Sequence, residues 1–206
     1  MSDANKDFAE FGKKSLILAI LYFISFIIGI IAIAVSEAGY VNMVIGIVII
    51  VFLIIAAGSV GKAGDKLNND DLKSFRTRII VSVILVTLGI IMATVAFSII
   101  MATIQGPDPG SPEAVTMYIT FGIVALIGIV IIIIGAIFEL LAWTDLKGFF
   151  RDNVGKFPED IGKSAQTGAL LGMIGAILTL TFILAFLGSL LRAIGYFMLA
   201  KLKDLE

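Results

Sequence analysis

The sequence predicts an all-α, polytopic transmembrane helical bundle of six spans, with its N-terminus on the cytoplasmic side. Three observations carry that prediction. The chain of 206 residues is 59% apolar and 15% charged, where a soluble domain is roughly half apolar and a quarter charged. Its apolar runs reach the ~20 residues that a helix needs to cross a hydrocarbon core. Every lysine and arginine except Arg192 falls in segments at alternate ends of those runs, and the segments at the opposite ends carry no base. Such a bias places the basic segments in the cytoplasm, in a cell membrane.

Residues 1–14 are mixed in charge, with Phe8 and Phe11 three apart and Lys13-Lys14 at the end. They predict a short interfacial lead-in with a basic anchor. Residues 15–203 then form a single transmembrane domain. Residues 15–35 are the first span. A cleavable signal is not expected despite the Ala32-Ile33-Ala34 triplet, because the apolar stretch 15–31 exceeds the roughly 7–15 residues of a signal core. Ser36-Glu37-Ala38-Gly39-Tyr40 predicts a tight acidic turn, and residues 41–61 the second span.

Residues 62–78 are the first cytoplasmic connection and 79–104 the third span. In the outer loop, 105–116, the run Gly106-Pro107-Asp108-Pro109-Gly110-Ser111-Pro112 resists helix because proline lacks a donor. Residues 117–143 are the fourth span, ending on Trp143 as an interfacial anchor. Residues 144–166 are the second cytoplasmic connection. Its Phe149, Phe150, Arg151 and Phe157 predict a helix lying at headgroup level until Pro158 breaks it.

The stretch 167–200 is too long for one span: 34 helical residues would reach about 50 Å against a core of ~30 Å. Two short spans joined near Phe186-Leu187-Gly188-Ser189 return Lys201 and Lys203 to the cytoplasm. A single span would put them outside, so six spans are expected, with five as the alternative. Both cytoplasmic connections hold a similar string, Asp71-Leu72-Lys73-Ser74-Phe75-Arg76 and Asp145-Leu146-Lys147-Gly148-Phe149-Phe150-Arg151. A duplicated hairpin and shared interfacial chemistry explain that match equally well.

Composition removes most chemistry. Cysteine and histidine are both absent, so thiol nucleophiles, imidazole bases and Cys/His metal, haem and cluster sites are excluded. No cofactor is expected. A net charge of −1 without a basic face beyond the loops argues against nucleic acid. Gly58-Ser59-Val60-Gly61 could belong to a serine protease only through a Ser–Lys pair, for which Lys62 would have to serve. No calcium loop or glycine-rich phosphate cradle is present. An enzyme is not expected.

Two ionisable residues lie inside apolar runs. Glu139 sits one turn before Trp143, and Arg192 eight residues before Ala200. Ionisable groups in a membrane often mark pathways; the alternatives are that Glu139 reaches headgroups and that Arg192 snorkels. If spans four and six pack together, the two come within side-chain reach as an ion pair; a five-span fold would keep them apart. Small residues form a second set: Gly168, Gly172 and Ala176 in one stripe, Gly128, Gly135 and Ala142 at intervals of seven, and the pair Ala57 and Gly61. They predict helix-packing faces, within the protomer or between copies. The mid-span hydroxyls Ser25, Thr87, Thr94 and Thr179 can hydrogen-bond within their own helices.

The run Thr167-Gly168-Ala169-Leu170-Leu171-Gly172-Met173-Ile174-Gly175-Ala176-Ile177-Leu178-Thr179, continuing to Gly195-Tyr196-Phe197, resembles an uncharacterised and mainly archaeal multipass membrane family, the domain of unknown function 996. Phe52-Leu53-Ile54-Ile55-Ala56-Ala57 and Asp70-Asp71-Leu72-Lys73-Ser74-Phe75-Arg76-Thr77 are similar to that family's second span and following connection. The proline-rich loop and the first fourteen residues depart from its pattern. The resemblance implies a multipass fold and no assigned activity or site.

Two functions of different class follow. The first is an accessory, assembly or membrane-organising protein acting through helix packing with membrane lipids, a second copy or another membrane protein. The second is a small channel or carrier for an ion or apolar solute, which usually shows broken helices or midplane polar groups.

Overall fold

The computed structural model describes residues 2–32, 34–35, 37–180 and 185–205. Six α-helices account for nearly all of them: α1 (Ser2–Ile31), α2 (Glu37–Leu67), α3 (Asp70–Ile104), α4 (Pro112–Asn153), α5 (Glu159–Leu180) and α6 (Ala185–Leu199). A 3-10 turn, Val154–Lys156, joins α4 to α5, and a 3-10 segment, Ala200–Leu205, follows α6. No strand occurs among the described residues. The helices α1 to α5 are long and apolar enough to cross a membrane, and α6 has 15 residues. The protein is a membrane-spanning helical bundle of five or six spans.

The helices outrun the predicted spans at their polar ends. At ~1.5 Å per residue, the 42 residues of α4 extend about 63 Å, twice the hydrocarbon core. The first connection shrinks to Asn68-Asn69. Asn68 takes a left-handed φ of 48°, the N–H of Asn69 bonds the Gly64 carbonyl at 2.9 Å, and that of Asn68 bonds Asp65 at 3.3 Å. This is a Schellman stop with asparagine in the usual glycine position. Asn69 then caps α3, its Oδ1 accepting from the Leu72 N–H at 3.1 Å.

Three boundaries differ from expectation. Glu37 to Tyr40 belong to the first turn of α2 rather than to a turn between spans; Ser36 and Ile33, the latter the centre of the Ala-Ile-Ala triplet, lie outside the described residues. Pro112 to Thr116 are helical, because proline is tolerated at the first helical position and Ser111 Oγ accepts from the Ala114 N–H at 3.2 Å. Phe186 to Ser189 lie inside α6 rather than at a join between two spans; residues 181–184 lie outside the described residues.

Two compact units make up the chain: Met1–Ile80 with Phe138–Glu206, and Val81–Ile137. In the second, α3 meets α4 at glycines. A Cβ built on Gly128 would lie 2.9 Å from the Gly89 carbonyl oxygen, and one on Gly135 would lie 3.0 Å from the Val86 nitrogen.

In the first unit α1 packs against α2, α6 and the terminal 3-10 segment, and α5 against α6. The two helices α5 and α6 are antiparallel: Gly168 lies opposite Gly195, and Gly175 opposite Gly188. The chain therefore ends where it began, with the Leu202 carbonyl carbon 2.8 Å from where a Cβ on Gly12 would sit. Half of α5's apolar window is buried, against 22–28% of the windows in the other four long helices. This makes α5 the enclosed helix; the others turn most of their apolar surface outward.

The large buried side chains gather at the end bearing both termini. Phe8, Phe11, Phe75, Trp143, Phe149 and Phe150 are all at most 2% exposed. Phe8 stacks on Phe149 at 5.6 Å and meets Phe157 edge-on at 5.5 Å. Residues 2–14 belong to α1, and Phe8, Phe11, Phe149 and Phe150 turn inward against other helices. These aromatic side chains form a protein core, and Trp143 is part of it rather than an anchor. Inside hydrocarbon there is no hydrophobic drive between helices, but helices that project beyond it regain one. The aromatic side chains collect at the charge-bearing ends of the helices. The two similar strings serve this layer alike, each burying a leucine and a phenylalanine three apart: Leu72 with Phe75, Leu146 with Phe149.

Candidate intramembrane charge site

Joined to that aromatic layer through Trp143, three helices each contribute polar or aromatic groups to a single cluster. Helix α4 brings Glu139 and, one turn on, Trp143. Helix α6 brings Arg192 and, one turn on, Tyr196. Helix α1 brings Tyr22. Arg192 Nη2 donates to Glu139 Oε2 at 2.7 Å, and Trp143 Nε1 to Glu139 Oε1 at a long 3.4 Å. The guanidinium carbon lies 5.9 Å from the centre of the Tyr22 ring, in cation–π range.

The rings close the site. Tyr22 stacks on Tyr196 at 5.6 Å with planes 9° apart, and Trp143 meets Tyr196 edge-on at 5.3 Å. Phe75 then joins Trp143 at 5.8 Å, linking the cluster to the aromatic layer. Arg192 is 7% exposed, and the Glu139 side chain 17%. A buried charge of either sign is costly alone. Paired at 2.7 Å the two are neutral as a unit, and the charge-assisted hydrogen bond offsets part of their desolvation. One atom stays unsatisfied: Arg192 Nε is buried without a hydrogen-bond partner.

Helix α5 supplies no charge, but it supplies the space. A Cβ on Gly172 would lie 2.6 Å from two carbons of the Trp143 indole, and one on Gly175 would lie 2.9 Å from Arg192 Cγ. The predicted stripe of Gly168, Gly172 and Ala176 thus serves two neighbours. A Cβ on Gly168 would lie 2.6 Å from the Gly195 carbonyl oxygen of α6, Gly172 faces Trp143 of α4, and Ala176 is fully buried. Gly175, Gly188 and Gly195 belong to the same contact and are missed by the sequence stripe. Their spacing of seven along each helix was the available signal. Gly128 and Gly135 lie elsewhere, at the α3–α4 contact, while Ala142 and Ala57 are buried and Gly61 packs against the Arg76 stem.

Other polar contacts sit nearer the termini. Arg78 Nη1 reaches both carboxylate oxygens of Asp145 at 2.7 Å, and Lys66 pairs with Asp7 at 2.7 Å. Ser59 Oγ accepts from Lys14 Nζ at 2.7 Å, so the base beside this serine is Lys14 rather than Lys62. Lys14 also faces Glu10 at 3.5 Å, and Ser59 is 5% exposed. The contact is an α1–α2 tie. Thr179 bonds its own helix at Gly175 O, but Ser25 donates across to Asn42 of α2 at 2.7 Å. No group of three potential metal-binding acids occurs among the described residues. No family model, curated protein or solved structure matches the chain.

Proposed function

We propose that this chain is a membrane scaffold, an accessory, assembly or membrane-organising protein without enzymatic activity that works through its outward apolar faces. In this reading it lies in the cell membrane as six spans with both termini in the cytoplasm, where its basic segments belong. One observation supports it above others. The charged pair Glu139–Arg192 is spent on one internal contact roofed by Tyr22, Tyr196 and Trp143, while most of the apolar surface of α1 to α4 faces outward. The pair ties α4 to α6, Tyr22 of α1 lies over its guanidinium, and the remaining surface is free for lipids, a second copy or another membrane protein. Kinship with the domain of unknown function 996 remains part of the proposal, carried by the α5 glycine pattern.

Purification in native-lipid discs followed by mass spectrometry tests the reading. The expected result is a stoichiometric protein or lipid companion. A second reading, a small carrier, draws on the unpartnered Arg192 Nε beside Glu139. Proton or ion flux into liposomes that Glu139→Gln abolishes would establish the carrier and overturn the scaffold.

A further inference from the structure

Arg76 stands apart from the other arginines. Arg78 pairs with Asp145, Arg151 with Asp152 and Arg192 with Glu139, each at 2.7 Å. Arg76 is exposed and has no acid partner among the described residues. It is nevertheless seated. Its stem crosses from α3 to α2 and lies on Gly61, where a Cβ would run into Arg76 Cδ and come 3.2 Å from Cγ. The glycine leaves the room that the stem uses, and so sets where the guanidinium is presented. Lys62, next along α2, is exposed and equally unpaired.

Most acids of the α2–α3 hairpin are engaged or turned away. Lys66 takes Asp7, and Asp70 faces Lys73 at 4.0 Å. Asp71 precedes Arg78 by seven residues and shares its face. That face is turned to Asp145 of α4, whereas Arg76, two residues before Arg78, points about 200° away from it. Asp65 remains, one turn beyond Lys62 toward the end of α2 at Leu67. Two free bases therefore meet one acid, and the bases lie nearer the apolar runs, which resume at Ile79 in α3 and end at Gly61 in α2. Ile54, Gly58 and Gly61 follow one another along a single face of α2. Ile54 is 39% exposed, and a Cβ on Gly58 would meet nothing within 4 Å. An open apolar lane thus leads along α2 to the seated guanidinium.

We propose that Arg76 and Lys62 bind the phosphate of an anionic phospholipid whose acyl chain lies along Gly58 and Ile54 of α2. A planar guanidinium offered without a carboxylate matches two phosphate oxygens at once. Each base at headgroup level contributes ~1 kcal/mol toward an anionic surface. A free phosphate shares this chemistry but makes no use of the apolar lane. The site deepens the scaffold reading by naming a lipid class, and it rests on that reading for its lipid-facing surface. The two fail separately. Ion flux that Glu139→Gln abolishes would sink the scaffold and leave lipid retention unchanged, whereas lost retention without flux would sink the site alone.

Native mass spectrometry of the full detergent-purified chain decides it. The probes are phosphatidylglycerol and phosphatidylcholine of identical acyl chains, and inorganic phosphate. Phosphatidylglycerol should be retained about tenfold more strongly than phosphatidylcholine, and inorganic phosphate should not displace it. Arg76→Gln should abolish that preference, and Lys62→Gln should weaken it. Arg76→Lys, which keeps the charge but loses the fork, should retain part of it. Lys156→Gln, at an exposed base in the turn between α4 and α5, is the control and should change nothing. An unchanged thermal midpoint shows that each variant is folded; if Arg76→Gln lowers it, Lys62→Gln carries the test. Equal retention of the two lipids overturns the proposal, as does a preference that Arg76→Gln leaves intact or that Lys156→Gln removes equally. Displacement by inorganic phosphate would make this a site for soluble anions and overturn the lipid assignment.

Discussion

Gly172 of α5 lies flat against the indole of Trp143 of α4, so close that a Cβ on the glycine would come within 2.6 Å of two ring carbons. Trp143 also touches Tyr196, Phe75 and Glu139. One glycine therefore sets the position of the ring that roofs the ion pair and joins it to the aromatic layer. Packing and electrostatics are coupled at this contact.

Gly172→Leu should destabilise by about 1–3 kcal/mol, the usual cost of overpacking. The opposing gain in helix propensity is ~1 kcal/mol. Gly46→Leu is the control, because a Cβ there meets nothing within 4 Å; it should be neutral or mildly stabilising. Unfolding in detergent checks both, and an unchanged or raised midpoint for Gly172→Leu would refute the contact.

Glu139→Gln and Arg192→Gln should each cost about 3–5 kcal/mol, because each strands a buried charge. The double variant should cost clearly less than the sum, with a coupling of roughly 0.5–3 kcal/mol. A double-mutant cycle of unfolding midpoints is the measurement. Strict additivity would mean that the 2.7 Å contact contributes nothing.

Phe8→Ala should cost about 3–5 kcal/mol, as expected for truncating a fully buried aromatic. A membrane-anchoring phenylalanine at this position would give a change within ±0.5 kcal/mol, as for surface substitutions generally. Phe23→Ala, at a half-exposed outward position of the same helix, is the comparison. Equal midpoints for the two variants would mean that Phe8 is not a core residue.

The chain has no cysteine, so single introduced cysteines report without background. Lys6→Cys and Lys203→Cys should react with an impermeant maleimide only after the membrane is opened. Asp108→Cys should react in intact cells. Labelling of Lys203→Cys from outside would place the C-terminus across the membrane and defeat the six-span arrangement.

Sequence alone was enough for the helical class, the extent of the apolar runs and the singling out of Glu139 and Arg192. Each depends on a one-dimensional quantity: length of apolar helix, sign of charge along the chain, or rarity of a charge within a run. What surrounds those residues is not one-dimensional. An aromatic residue at the end of an apolar run looks the same whether it faces headgroups or a neighbouring helix, and the difference lies in whether other helices project beside it. Burial against Phe75 and Tyr196 is what makes Trp143 a core residue rather than an anchor, and burial against each other makes Phe8 and Phe149 core residues too. Gly188 posed the same ambiguity, since glycine suits a turn and a close helix contact alike. Only the approach of Gly175, whose carbonyl oxygen would be 2.8 Å from a Cβ on Gly188, identifies the second use. Composition put two opposite charges in the membrane; the antiparallel return of α6 along α5 brought Arg192 to Glu139, because a charge that cannot reach water is stable only where the fold delivers its partner.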